Sequence, residues 1–130
     1  MSKIIIFENF WTLNDIKNNP EYLWVYGDND VKRGKGGQAI IRDEINTIGI
    51  PTKKYPSNNP KSFYTDDEYI INCEKITKAI NNIKEKGKLY KAIVIPKNGF
   101  GTGLAKLEQL APKTFTFLNT QIKNLIDSYN

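Results

Sequence analysis

The apolar positions of this chain fall into two rhythms. Short unbroken apolar runs occur at Lys3–Phe7, Leu23–Tyr26 and Ala92–Ile95. Each is rich in β-branched or aromatic residues and bounded by polar or turn residues, so each reads as a strand. A fourth, shorter strand is expected over Ile48–Thr52. Between them the spacing changes to three and four residues. Ile70, Cys73, Ile76, Ile80 and Ile83 form one stripe of a helix, with Lys84 and Lys86 at its end and Gly87 as a stop. Phe115, Leu118, Ile122, Leu125 and Ile126 line another, with Pro112 suited to its first position. Thr12, with Asp15 behind it, predicts a short helix over Leu13–Asn18. Thr65-Asp66-Asp67-Glu68 reads as a capping box for the Ile70 helix. Short helices are also expected at Gln38–Glu44 and Leu104–Leu110. Strands that are apolar throughout, alternating with helices, predict an α/β layer fold whose sheet is buried on both faces.

Two strands lead straight into glycine-rich loops. After Tyr26, where Gly27 is expected to end the strand, come Asp28-Asn29-Asp30 and then Gly34-Lys35-Gly36-Gly37-Gln38. After Ile95-Pro96 comes Lys97-Asn98-Gly99-Phe100-Gly101-Thr102-Gly103. A loop of this kind exposes backbone N–H groups and favours an anion. If the two strands are parallel, both loops lie on one rim of the sheet, where ligands of open α/β folds bind. Neither loop has the spacing of a dinucleotide fingerprint or a Walker loop. Hydride transfer and NTP hydrolysis of those types are therefore disfavoured.

Composition narrows the chemistry. One domain, residues 1–130, accommodates 39% hydrophobic and 25% charged residues. The net charge of +5 admits a nucleotide or a nucleic acid as partner. The lysines are scattered, so nucleic-acid binding is the least favoured reading. The chain has no histidine and one cysteine, Cys73, which argues against a zinc site and against an activated thiol. No metal and no cofactor are expected. No run is long enough to span a membrane, no secretory signal is visible, and the lone cysteine suits a cytoplasmic setting. The abundance of Ile, Asn and Lys suits an AT-rich bacterial or viral source.

Gly27-Asp28 followed by a glycine cluster opening into Ala39-Ile40-Ile41 resembles the first binding loop of macro domains. Ile95-Pro96 followed by Gly99-Phe100-Gly101-Thr102-Gly103 resembles their second. The resemblance implies a three-layer α/β fold with a mixed, largely parallel central sheet flanked by helices. It implies an ADP-ribose-type ligand, a small phosphorylated adenine nucleotide, linear or cyclic. By position, Asp28 would accept from the adenine amino group. Gly36, Gly37 and Gln38 would line the distal ribose and a phosphate. Gly101, Thr102 and Gly103 would cradle the diphosphate, and Phe100 would pack on the distal ribose. Asn29, Lys35, Asn98 and Gly99 complete the expected binding set. Lys35 stands where macro domains carry a denser glycine run. Leu104-Ala105-Lys106 stand where some hydrolytic members carry an acidic residue, which favours holding the ligand over turning it over.

Alternatives stay open at this stage. Asp28, Asp30 and Lys35 are the candidates for an ADP-ribosyl hydrolase or ADP-ribose phosphatase reaction. Asp28, Asn29 and Asp30 read equally well as an Asx turn. Arg42 either pairs with a carboxylate or meets a phosphate. Tyr55, Phe63 and Tyr64, in the irregular Ile45–Tyr64 segment, read as pins of that loop on the core before they read as stacking surfaces for a base, with the nearby Lys53 and Lys54 as phosphate contacts.

Overall fold

A computed structural model describes residues 3–129. It is an α/β fold around a four-stranded, all-parallel sheet of order β1-β4-β2-β3, with β1 at Lys3–Phe7, β2 at Tyr22–Asn29, β3 at Thr47–Lys53 and β4 at Ala92–Pro96. Among the described residues no antiparallel strand joins these four, only an isolated antiparallel bridge between Lys53 and Phe63, so the sheet is all-parallel where a mixed, largely parallel one was expected. Helices α1 (Leu13–Asn18), α2 (Tyr69–Gly87), α3 (Leu107–Leu110) and α4 (Pro112–Ser128) surround it. No helix among the described residues is long and apolar enough to cross a membrane.

Side chains alternate across the sheet and feed two cores. Val25, Ile50, Ile93 and Ile95 meet Ile76, Ile80 and Ile83 of α2 and Leu118 and Leu125 of α4 on one face. Trp24, Tyr26 and Val94 meet Trp11, Ile16, Ala39 and Ile41 on the other. There Trp24 takes the edges of Phe7 and Trp11, at 5.2 and 5.7 Å between ring centroids.

Local chemistry explains where elements start. Thr12 and Asp15 form the reciprocal cap of α1. Gly27 does not end β2. The strand runs on through Asp28 and Asn29 because β3 lies alongside, pairing Gly27 with Ile50 and Asn29 with Lys53. Pro51 is tolerated because β3 is an edge strand. Instead of a Gln38–Glu44 helix there is a single 3₁₀ turn over Gly37–Ile41, too short to propagate further.

The capping box at Thr65 does not form. Thr65 makes no side-chain cap, residues Asp66–Glu68 take a 3₁₀ turn, and α2 begins at Tyr69. The Asp66 carboxylate instead accepts from the N–H groups of Lys113 and Thr114 at 2.9 and 3.0 Å, capping α4 across 47 residues of chain. Ala111, at the N-cap of α4, has no side-chain acceptor of its own. Asn72, fully buried, donates to Thr65 and Thr114 and joins the two helices. Ile70, expected on the apolar face, is 68% exposed in consequence.

Candidate functional site

The adjacent strands β2 and β4 send their chains to opposite faces. After β2, the 3₁₀ turn carries Ala39 and Ile41 into the core beneath Trp24. After β4, α3 and α4 carry Leu107 and Leu118 into the core beneath Ile93. Parallel neighbours whose connections diverge in this way leave a crevice beyond their carboxyl ends. Both glycine-rich loops, 30–37 and 97–106, lie at that end of the sheet, and they touch there: a Cβ on Gly36 would meet the Leu104 side chain at 3.0 Å.

One side chain ties the loops together. β2 and β4 pair only as far as Trp24 and Val94. Beyond that point the Gln38 carboxamide spans the gap. Its Oε1 accepts from the Gly27 N–H at 2.8 Å, and its Nε2 donates to the Gly99 carbonyl at 2.9 Å. Trp11 fixes the Gln38 backbone by donating its indole N–H to the carbonyl, at 3.1 Å.

The first loop is staked from inside. Asn29 donates to the Arg33 carbonyl at 2.7 Å. Arg42 donates to the carbonyls of Gly34 and Arg33 at 2.8 and 3.2 Å. Its guanidinium also lies 2.6 Å from the buried Asp28 carboxylate and covers the Tyr26 ring. Burial, with Asp28 adding to it, pushes the Tyr26 phenol up to about 12. The second loop turns through Gly99 and Gly101, both at positive φ. A Cβ on Gly101 would meet Leu107 at 2.8 Å, so only glycine fits that turn.

Several expected site residues are committed elsewhere. Asp28 is 7% exposed, paired with Arg42 and accepting from the Asn29 N–H, so it is not an open acceptor for an adenine. Phe100 is 1% exposed and packs in the core, so its ring cannot lie on a ribose. Its ring lies beneath Gly27, 4.0 Å from where a Cβ would stand there. Asp30 accepts from the Tyr64 hydroxyl and pairs with Lys75 at 2.6 Å, which pins the 45–64 segment. Burial first, then Asp30, raises the Tyr64 phenol far above its ordinary value. Lys35 pairs with Asp43 at the surface, at 2.5 Å. Tyr64 and Phe63 are buried pins, whereas Tyr55 is 48% exposed.

Of the expected set, what remains on the rim is largely main chain. Gly36, Gly37, Asn98, Thr102 and Gly103 are exposed, and Thr102 reaches back to the Asn98 carbonyl at 3.5 Å. Among the described residues, the N–H groups of Gly34, Lys35, Gly36, Gly101, Thr102 and Gly103 meet no acceptor in the protein. Successive amides of this kind make an anion-binding concavity.

Lys53, outside the expected binding set and weighed only as one of the lysines beside Tyr55 and Phe63, also reaches this rim. Lys53 ends β3, the third strand to reach this rim, and is 8% exposed. Its Nζ lies 4.7 Å from the centre of the Phe63 ring and 3.4 Å from the Leu104 carbonyl. The signal was there: a lysine at the carboxyl end of an expected parallel strand belongs to the same edge as both loops. Two open depressions lie elsewhere, one along Ile70, Cys73 and Thr77 of α2, the other between Tyr69 and Phe117, and neither touches the rim.

Neither the curated proteins nor the solved structures hold a match to this chain. A family model described as "Family of unknown function (DUF7831)" matches residues 6–121, from the end of β1 into α4 and across both loops. On that extent of match, the chain belongs to the DUF7831 family.

Proposed function

We propose that this protein binds a small phosphorylated adenine nucleotide of the ADP-ribose type, linear or cyclic, in the crevice between its two glycine-rich loops. The observation that carries the reading is the convergence of both loops where β2 and β4 diverge, with Gln38 holding them in register. Unpaired amides on both sides of the crevice favour a diphosphate between them. The likeness of the two loops to those of macro domains supplies the class of ligand. Main-chain groups of residues 34–36 and 101–103 take the anionic part. Asp28 acts only through Arg42, as a positioning residue for the first loop.

The ligand is held and not consumed. Asp28, Asp30 and Lys35, the three candidates for a hydrolytic step, each sit in an ion pair, Asp28 and Asp30 turned to structural partners, which favours holding the ligand. A small protein of this kind sequesters a nucleotide signal. The test is a thermal-shift screen over linear and cyclic adenine nucleotides, followed by heat release of the bound molecule. A ligand at about a hundred times its Kd stabilises the fold by about 2.7 kcal/mol, which the melting point registers. Recovery of intact nucleotide supports capture. No shift with any of them refutes the binding reading, and recovery of a cleaved product refutes capture.

A further inference from the structure

Five lysines of this chain sit against a carboxylate: Lys35 with Asp43, Lys54 with Glu68, Lys75 with Asp30, Lys88 with Glu85 and Lys97 with Glu8. Most of the others, Lys53 and Lys106 among them, have no carboxylate at ion-pair distance among the described residues. Both ammonium groups nevertheless gather at one place, over the ring of Phe63, at 4.7 and 5.8 Å from its centre.

The fold holds both there. The Lys53 backbone is fixed on three sides: it pairs with Asn29, bridges to Phe63 and accepts from the Asp30 N–H at 2.9 Å. Its stem is buried, and its head reaches the Leu104 carbonyl on the exposed crest of the second loop. Lys106 adopts a left-handed backbone, φ 47°, unusual for a side chain of its size. Burial, and then the charge of Lys106, lower the Lys53 ammonium from its ordinary value. A ring face and one carbonyl are modest company for two cations. An anion between them would relieve both, and the amides of Gly101–Gly103 lie in the same loop.

We propose that Lys53 and Lys106 form the phosphate-charge subsite of this rim, taking the diphosphate of the bound nucleotide at the β3 end of the crevice. The inference deepens the nucleotide-binding reading and rests on it for the rest of the ligand. Lys53 supplies a fixed charge from the sheet and Lys106 a charge carried by the loop. Phe63 keeps the two ammonium groups raised toward the rim.

Inorganic pyrophosphate is the probe, titrated by calorimetry at about 0.15 M salt, where diffuse surface attraction is largely screened. Lys53→Met keeps the buried stem and removes the charge, and Lys106→Ala alters an exposed side chain. Each is expected to weaken pyrophosphate by about tenfold or more, the range of one charge-assisted hydrogen bond. Lys123→Ala, on the solvent-exposed side of α4, should leave binding unchanged. The proposal is overturned if the wild-type protein does not bind pyrophosphate, if both rim variants bind it like wild type, or if Lys123→Ala weakens it equally. ADP-ribose titrated into the same proteins separates the two readings. Tight ADP-ribose binding unaffected by either rim variant leaves the crevice reading standing and removes this one. Pyrophosphate bound through the two lysines without any ADP-ribose affinity removes the nucleotide reading and leaves the two lysines as a diphosphate subsite for another ligand.

Discussion

Replacing Gln38 by Met removes the side chain whose hydrogen bonds join Gly27 to the second loop and keeps most of its volume. Two main-chain groups lose their partner: the Gly27 N–H, at 2.8 Å, and the Gly99 carbonyl, at 2.9 Å. A buried polar group left unpaired costs about 1–3 kcal/mol. Both residues are half-buried, so water reaches them in part and the lower end of that range applies, about 1–1.5 kcal/mol each. The expected loss is about 2–3 kcal/mol, a large part of the roughly 5–15 kcal/mol typical of a domain yet compatible with folding. At about 3–5 °C per kcal/mol for a chain of this size, the melting point should fall by about 6–15 °C. Urea denaturation gives the free energy directly, with an unchanged m-value expected, because the same surface is exposed on unfolding. The loops should also lose their common register, so nucleotide affinity should fall with stability. A loss below about 0.5 kcal/mol, the scatter of ordinary surface substitutions, would refute the bridging role assigned to Gln38.

Arg42→Met strands the buried Asp28 carboxylate and should cost about 3–5 kcal/mol in urea denaturation, whereas adding Asp28→Asn should recover part of the loss. Recovery of nothing would mean that the stakes on Gly34 and Arg33, and not the ion pair, carry the effect. Asp66 gives a pH signature. Burial pushes its carboxyl up, but the N–H groups of Lys113 and Thr114 and the Thr114 hydroxyl outweigh it and hold it below the ordinary 3.8. With the native value depressed, the unfolded chain binds the proton more readily, so this contribution is complete above the ordinary value. It is lost as pH falls through the lower native one. Asp66→Asn should lower stability by about 1 kcal/mol at neutral pH, as loss of a helix cap does, and should flatten the acid limb of the stability curve below about pH 4. An acid limb identical to wild type would remove Asp66 from it.

Much of the architecture is legible in the pattern of apolar residues. The runs at Lys3–Phe7 and Ala92–Ile95, the α1 cap at Thr12 and the start of α4 at Pro112 rest on local chemistry, and the structure has them there. The shared rim of the two loops needs only the added premise of parallel strands. What is not legible depends on distant partners. β2 outlasts Gly27 because β3, some twenty residues on, lies beside it. The Thr65 box gives way because Asp66 finds a helix end 47 residues away. Phe100 between glycines resembles a ligand contact, and only the packing under Gly27 turns it into core. Asp28 and Asp30 look available until Arg42 and Lys75 are brought to them. Lys53 is hidden by the irregular segment around it, although its place at a strand end carries the meaning.

The most direct test of the central claim is a map of backbone amide shifts, by two-dimensional NMR, on titration with ADP-ribose. Residues 34–38 and 99–104 should shift together and saturate along one binding curve, with α2 and α4 unmoved. If saturating nucleotide moves neither loop, or moves only the outer faces of α2 and α4, the two loops do not form one site.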